Sequence, residues 1–392
     1  MDRCFGVLNK GGYGGLLSGV VAYPMGCDNL MVWLRPSIGN QFEPDREAFI
    51  MKKIFIPIFL VYSICVSAYL VAQESYKSTV RSKYFDTAFL GDYDQVARSL
   101  KEENFNEVNF KSTDGLRLEG LYLKRPDAQY NVICCAGWWP GRKEGIATFY
   151  TLLPQDCNIL FFDARGHGKS EGSYRQLNYG VHEYKDIIGA LEFVHNDTSK
   201  PTLLYGLCAG AFNAAHAVFE LQKQNRLEAL QVSGVIFDSG WVSVDRTAYS
   251  VATAKTNEML MKRVASWYVL PHYREAQKTT LFSCASSLTN VVIGGVHLLL
   301  KPFFTYYDST TNLLVKAQKT PLRVPCLFIH SCDDTCVSLS DVQKFAACVP
   351  RKECLWIDKT SKHACHYLKH TDIYEQYLHR FIKSVIGESK IV

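Results

Sequence analysis

Short apolar runs alternate with amphipathic stretches from about residue 108 onward. Apolar runs bounded by turn residues are typical of strands in a buried parallel sheet, and a 3.6-residue period is typical of helices. Strands are predicted at residues 131–136, 158–163, 202–207, 232–238, 326–330 and 353–358. Helices are predicted at residues 144–153, 181–195, 211–223, 339–347 and 372–385. The alternation predicts a parallel sheet with helices on both faces.

Two segments depart from this alternation. Residues 108–111 and 116–123 flank Asp114-Gly115, a turn dipeptide that predicts an antiparallel hairpin at the start of the sheet. Residues from about 240 to 320 contain aromatic and Ser/Thr-rich stretches without the strand–helix rhythm. We interpret this second segment as an inserted helical cap.

The N-terminal part of the chain has a different character. Residues 1–50 hold many glycines and no clear period, so we expect a poorly structured extension there. Residues 54–72 form an uncharged, mostly apolar run that is long enough to cross a bilayer as a helix. Segment 51–75 is therefore predicted to be a transmembrane anchor or a signal segment, with a buried core helix as the third alternative. The pattern also fits translation that begins at Met51.

Basic residues lie on both sides of this apolar run and leave its orientation open. Two lysines precede it and favour a cytoplasmic N-terminus, whereas Lys77, Arg81 and Lys83 follow it and oppose that orientation. We expect a protein that is either anchored by a single membrane pass or exported, on an undetermined side of the membrane. A globular domain is expected from residue 85 to 392.

The composition narrows the classes of function. With 47% hydrophobic and 21% charged residues, the chain is ordinary for a globular protein. A net charge of +5 without a dense Lys/Arg run gives no reason to expect a nucleic-acid partner. The 14 cysteines form no CxxC pair, and we interpret them as buried thiols or, in an exported domain, as disulfide partners. We expect neither a cofactor nor a metal, because the late Cys and His residues match no zinc spacing. That late group consists of Cys332, Cys336, His363, Cys365 and His366.

The sequence Gly206-Leu207-Cys208-Ala209-Gly210 follows a predicted strand and precedes a predicted helix. A nucleophile elbow needs this context, because it presents one side chain at a sharp strand-to-helix turn. A helix N-terminus favours the thiolate form of a cysteine, and a nearby imidazole completes its activation. We therefore predict Cys208 as a nucleophile. The alternative is a buried cysteine beside a glycine-rich turn.

Two further motifs give the chain a resemblance to the α/β-hydrolase superfamily. FFDARGHGKSEGS, at residues 161–173, resembles the superfamily's D-x-R-G-x-G-x-S loop. LFIHSCDDTCVS, at residues 327–338, resembles its H-G-x-x-D-x-x-V-P segment, with Ser331 in place of Gly and Ser338 in place of Pro. The resemblance covers roughly residues 108–385. It implies an α/β-hydrolase fold: a mostly parallel central sheet, flanking helices and an inserted cap.

The resemblance also implies the acid of a catalytic triad. Asp334 matches the superfamily's acid, Asp333 is its neighbouring alternative, and Asp238 at the end of the preceding strand is a weaker candidate. A triad in the chain order Cys208, Asp334, His363 has the order of α/β-hydrolases, and it differs from the orders of chymotrypsin and subtilisin.

The base of the triad is expected on the loop after the last strand. In the superfamily this His precedes an Ala, and a Tyr follows before the closing helix. His363, Ala364 and Tyr367 match that pattern best. His366 and His370 remain alternatives, with more expected roles in covering the site or beginning the helix.

The resemblance places an oxyanion hole beside the nucleophile. Ala136-Gly137 stands where the superfamily carries His-Gly, so the backbone N–H of Trp138 is expected to point into the site. Ala209 supplies the second donor. Trp139 is expected to line the substrate pocket, and the alternative is that both tryptophans pack beneath the cap.

These residues imply a hydrolase of the carboxylesterase or thioesterase type. It would cleave an ester, thioester or similar acyl bond through Cys208, His363 and Asp334, with a covalent acyl-enzyme. The expected partners are a small-molecule or lipid-like acyl substrate and a membrane, contacted through residues 54–72. Two alternatives remain: a membrane-associated acyltransferase with the same nucleophile, and a non-catalytic member of the fold that binds a lipid or a partner.

Overall fold

The protein is described by a computed structural model. It describes residues 100, 103–138, 143–172, 180–267, 277, 279–357, 363–364 and 366–388. The segments 1–50 and 51–75, with the apolar run at 54–72, lie outside the described residues, and so does Trp139.

Eight strands form one mixed sheet. They are β1 (Asn106–Lys111), β2 (Arg117–Leu123), β3 (Tyr130–Cys135), β4 (Cys157–Phe162), β5 (Thr202–Leu207), β6 (Val232–Asp238), β7 (Cys326–Ser331) and β8 (Lys352–Ile357). Their order across the sheet is β1-β2-β4-β3-β5-β6-β7-β8. The β1–β2 and β2–β4 pairs are antiparallel, and the other neighbours are parallel. This order and the flanking helices confirm the α/β-hydrolase fold.

Helices connect the parallel strands. They are α1 (Glu144–Ala147), α2 (Tyr184–Thr198), α3 (Ala209–Lys223), α4 (Val244–Trp267), α5 (Thr280–Thr311), α6 (Leu313–Lys319), α7 (Leu339–Ala347), α8 (His366–Lys369) and α9 (Thr371–Glu388). The helix expected at 144–153 is divided, because α1 ends at Ala147 and a 3-10 helix follows over Thr148–Leu152.

The central strands are buried on both faces. In β3, Val132 and Cys134 point into a cluster with side chains of α9, whereas Ile133 and Cys135 point into a cluster with side chains of α2 and α3. Side chains alternate between the faces of a strand, so a strand covered on both faces needs apolar residues at every position. This burial on both faces explains why the central strands appear in the sequence as continuous apolar runs. The two cysteines are free and fully enclosed, as expected of small core residues.

The segment between β6 and β7 forms the expected helical cap. Its main element is a pair of helices, α4 and α5, which run in opposite directions. Asp245 near the start of α4 contacts His297 of α5, while Val264 near the end of α4 packs on Phe282 at the start of α5. Helix α6 then returns the chain to the core, where Leu313 is buried.

Candidate active site

The carboxyl ends of the parallel strands meet at one edge of the sheet, where open α/β sheets bind ligands. Cys208 follows β5 directly, and Ser239 follows β6. Asp334 lies three residues after β7, and His363 lies on the connection after β8. Residues that are distant in sequence are thereby brought to one place.

Cys208 has a backbone conformation that non-glycine residues rarely adopt, with φ +55° and ψ −116°. Its N–H donates to the carbonyl oxygen of Asp238 at 2.8 Å, which fastens the turn to β6. A Cβ at Gly206 would collide with the backbone of Ala211, and a Cβ at Gly210 would collide with the carbonyl of Cys135. Both glycines of the GxCxG motif are therefore required by close backbone approach.

His363 lies between the thiol and a carboxylate. Its Nε2 is 3.1 Å from Cys208 Sγ, and its Nδ1 is 2.7 Å from Asp334 Oδ2. The other carboxylate oxygen of Asp334 accepts hydrogen bonds from the backbone N–H groups of Cys336 and Val337, at 2.8 and 2.9 Å. The carboxylate is therefore held in place from its own loop while it orients the imidazole.

The three groups differ in their access to solvent. The Asp334 side chain is inaccessible, whereas 22% of the His363 side chain is exposed. Burial alone would lower the pKa of His363, but the adjacent Cys208 and Asp334 outweigh it, so this pKa lies well above its usual value. Burial would raise the pKa of Asp334, but the charge and hydrogen bond of His363 hold it below its usual value. The environment therefore favours the charged imidazolium between the two groups.

The alternative acids and bases occupy other positions. Asp333 is exposed, and its backbone N–H donates to Ser331 Oγ. His366 is fully buried and contacts Ser239, while the backbone N–H of His370 donates to the carbonyl of His366. Of the histidines considered, the structure brings His363 to Cys208.

A second buried polar cluster lies beside the triad and was not predicted from the sequence. Ser239 Oγ donates to Asp238 Oδ1 at 2.7 Å and lies 2.8 Å from His366 Nε2. The same oxygen accepts the N–H of Ala364 at 3.2 Å. Tyr374 Oη donates to the other carboxylate oxygen of Asp238 at 2.7 Å. Asp238, considered above as a triad acid, thus belongs to this cluster, which attaches the His363 loop to the end of β6.

Trp138 and Ala209, the expected oxyanion donors, line one small pocket together with Gly137 and Trp241. The Trp138 and Trp241 rings are 6.0 Å apart and form an aromatic wall. Ala209 is the first residue of α3, and the first N–H groups of a helix have no partner within it. The structure thus brings both residues to the pocket beside Cys208.

Comparisons with known proteins agree with the fold. The family model described as "Serine aminopeptidase, S33" matches residues 146–368, a span that includes Cys208, Asp334 and His363. The chain is 22% identical over 292 residues to the uncharacterized protein YqkD of Bacillus subtilis (strain 168), which covers 74% of this chain and 83% of YqkD.

Among solved structures, the chain is similar to the esterase Pf2001 of Pyrococcus furiosus. One crystal form has a TM-score of 0.50 at 19% identity, covering 73% of this chain and 96% of the esterase. A second form has a TM-score of 0.50 at 20% identity, covering 73% and 94%. At this level of identity the likeness concerns the fold.

Proposed function

Because the chain belongs to the serine aminopeptidase S33 family of α/β-hydrolases, we propose that it cleaves an ester, thioester or similar acyl bond with Cys208 as nucleophile. The observation that carries this proposal is the position of the His363 ring, 3.1 Å from Cys208 Sγ and 2.7 Å from Asp334 Oδ2. A nucleophile, a base and a group that orients the base are the parts that covalent acyl transfer requires.

In the proposed reaction, His363 takes the thiol proton and Cys208 Sγ attacks the carbonyl carbon of the substrate. The backbone N–H groups of Trp138 and Ala209 stabilise the negative oxygen of the tetrahedral intermediate. His363 then gives its proton to the leaving group, and a thioester acyl-enzyme remains. Water attacks this thioester with His363 as base, which releases the acid and restores the thiol.

A thiol at the elbow suits the electrostatics of the site. The adjacent Cys208 and Asp334 raise the pKa of His363, and an imidazolium next to a cysteine is the arrangement that activates cysteine nucleophiles. The family model is described as a serine aminopeptidase, whereas this chain has Cys208 at the elbow position. A thiolate attacks activated carbonyls readily, which favours esters and thioesters as substrates.

The proposal is tested by turnover of p-nitrophenyl butyrate and of an acyl-CoA thioester by the full-length protein. We expect Cys208→Ala to abolish turnover and Cys208→Ser to retain a residual rate, because the hydroxyl keeps the geometry without the thiolate. Cys348→Ala, which removes a half-buried thiol at the end of α7, is the matched control and should keep the wild-type rate.

Alkylation and product analysis separate the remaining alternatives. We expect iodoacetamide to label Cys208 faster than the other cysteines and to inactivate the enzyme in parallel. No turnover of any acyl substrate, together with unselective labelling, would identify a non-catalytic member of the fold. Products formed with and without an added alcohol distinguish hydrolysis from acyl transfer to an acceptor.

A further inference from the structure

Helix α5 of the cap has an unusual composition for a surface element. Among the described residues, α5 is a helix that is long and apolar enough to cross a membrane. Its most apolar stretch of 18 residues is not buried in the protein. No charged residue occurs from position 280 to 300, and its charged residues are Lys301 and Asp308 near the C-terminal end. The helix therefore presents a long uncharged surface that the rest of the fold does not cover.

Six of the exposed apolar residues of α5 lie on one face of the helix. At 3.6 residues per turn, their positions fall within an arc of about 100° around the helix axis. We call this set the outer face: Leu281, Leu288, Val291, Leu298, Leu299 and Tyr306. Val291 is 73% exposed and Leu299 is 80% exposed, so these side chains are almost fully accessible. The outer face extends for about 40 Å along the helix axis.

Three polar residues on the opposite side of α5 contact α4. Ser286 Oγ donates to Asn257 of α4 at 2.7 Å, and the Asn257 amide donates to Asn290 at 3.2 Å. His297 Nε2 lies 3.1 Å from Asp245. A surface helix in water has the opposite arrangement, with apolar side chains toward the core and polar ones outward. The arrangement in α5 fits an apolar medium on the outside.

We propose that the outer face of α5 is a membrane-docking surface, which lies in the lipid interface and holds the cap against the bilayer. Apolar helix faces bind in this way at the boundary between headgroups and acyl chains. The proposal concerns the surface of α5 and is independent of the chemistry of Cys208.

The packing of α5 favours an orientation along the membrane surface. Its neighbour α4 runs beside it and carries the exposed charges of Lys255 and Lys262, which are costly to move into hydrocarbon. The C-terminal end of α5 is fixed to the core, because Thr311 is buried and Asp308 accepts the N–H of Val244 at 2.7 Å. A helix held in this way along its length can lie on a bilayer but cannot cross it without leaving α4.

The residues near the C-terminal end of the outer face favour lipid as its occupant. Lys301, exposed near the C-terminal end of α5, is a residue type that attracts anionic headgroups. Tyr306, at one end, is a residue type that favours the membrane–water interface. The chain also carries a second uncharged apolar run, at residues 54–72.

Depth-dependent fluorescence quenching tests the proposal on the full-length protein. A fluorescent non-natural amino acid replaces Leu288, Val291 or Leu299, and a control label replaces Asp127, an exposed residue in the turn before β3. The vesicles contain phosphatidylcholine and phosphatidylserine with nitroxide-labelled lipids of shallow or deep label position. We expect strong quenching at equal, shallow depth for the three α5 positions, and little quenching at position 127.

Three outcomes would overturn the proposal. The α5 labels could show no more quenching than the label at position 127. Their depth could change steadily through the bilayer centre, which would identify a spanning helix. Their emission could shift with protein concentration and without vesicles, which would identify a second copy as the occupant.

A charge variant provides the second measurement. Val291→Glu with Leu299→Glu changes two almost fully exposed side chains, so folding should persist and turnover of p-nitrophenyl butyrate should match the wild type. The label at Leu288 should then lose its lipid quenching, because carboxylates oppose insertion. The control variant Ser309→Glu with Thr310→Glu, exposed beyond the outer face, should keep it. Unchanged quenching in the first variant would contradict the proposal, whether or not the protein turns over acyl substrates.

Discussion

At the scale of single residues, the site depends on a strained backbone at Cys208. A non-glycine residue in such a conformation costs about 1–3 kcal/mol, which the surrounding contacts must offset. Here the contacts are the hydrogen bond to the Asp238 carbonyl and the close packing that Gly206 and Gly210 permit. The strain holds the thiol at the tip of the turn, toward His363.

Gly210→Ala tests this packing. The new methyl group would collide with the carbonyl of Cys135, so we expect a loss of about 1–3 kcal/mol in the free energy of unfolding. The matched control is Gly294→Ala in α5, where the methyl group meets no atom and should stabilise the helix by about 0.5–1 kcal/mol. Urea unfolding measures both changes. Equal effects of the two substitutions would show that close approach at Gly210 is unimportant.

The raised pKa of His363 predicts the pH dependence of activity. A raised pKa means that the imidazolium persists below that value and is lost as the pH rises through it. The proposed reaction uses one proton shared by Cys208 and His363. The alkaline limb of the kcat/KM profile should therefore lie well above the ordinary histidine pKa of 6.5.

Cys208→Ser provides the comparison for that profile. A serine hydroxyl stays neutral, so position 208 would no longer raise the pKa of His363, and the imidazole should lose its proton at lower pH. Since that variant needs a neutral base, its rate should rise as the pH passes the lowered pKa. Identical profiles for both proteins would contradict a thiolate–imidazolium pair.

The sequence indicated the contacts of His363 with Cys208 and Asp334 better than the contacts around them. Cys208, Asp334 and His363 sit in short motifs whose spacing is visible along the chain. The contact between Ser239 and His366 joins residues that are far apart in sequence, and no local pattern predicts it. The sequence drew attention to Asp238 because it ends a strand, and this position suggested a triad acid. In the structure, Asp238 belongs to the cluster with Ser239 and Tyr374.

At the scale of elements, the cluster at the end of β6 positions two loops at once. The Asp238 carbonyl oxygen accepts a hydrogen bond from the N–H of Cys208, and Ser239 Oγ accepts one from the N–H of Ala364. The distance between the thiol and the imidazole therefore depends on one strand end. Because Ser239 touches neither reacting atom, we regard it as a positioning residue.

Ser239→Ala should lower kcat between about 10-fold and 100-fold, because a displaced catalytic group costs rate of that order. KM should change less, and the pH profile of Cys208 alkylation should move as His363 leaves the thiol. Ser233→Ala, a half-buried serine on the same strand, is the control. A variant with a lower melting temperature but unchanged kcat and alkylation profile would reduce Ser239 to a structural role.

The elements themselves followed from their patterns. Predicted strand limits agree within one or two residues, because buried apolar runs end where turn residues begin. The segment after β3 differs, since α1 ends at Ala147 and continues as a 3-10 helix that the apolar period does not distinguish. The cap was predicted as helical, but the inward polar face of α5 depends on its pairing with α4 and was not predicted.

At the scale of the whole molecule, a buried arginine joins three distant segments. Arg165, in the loop after β4, donates to Asp114 in the β1–β2 turn and to Asp186 in α2. The hairpin, the loop and the helix are thereby fixed to one another. The D-x-R-G-x-G-x-S motif thus has a structural explanation in this chain.

Arg165→Met should destabilise the protein by about 3–5 kcal/mol at neutral pH, because Asp186 would remain buried without its partner. Burial already raises the pKa of Asp186 to about 6, against the hydrogen bonds and charge of Arg165 that lower it. Removing Arg165 should raise that pKa further. A carboxyl whose pKa is raised by folding favours the folded state at low pH, so the loss should shrink as the pH falls.

Denaturant unfolding at several pH values measures this effect. Adding Asp186→Asn to the variant removes the buried carboxylate and should recover part of the stability at neutral pH. A loss that is independent of pH, with no recovery in the double variant, would contradict the role of the uncompensated charge. The extension predicted for residues 1–50 and the anchor or signal segment predicted for residues 51–75 stay predictions, since both lie outside the described part of the chain.

The central claim is that an acyl group passes through the thiol of Cys208, and mass spectrometry tests it most directly. The full-length protein is mixed with an acyl-CoA thioester, quenched in acid and digested. The account predicts a mass increase equal to the acyl group on the peptide that carries Cys208, and no such adduct in Cys208→Ala. An adduct on another residue, or wild-type turnover by Cys208→Ala, would contradict it.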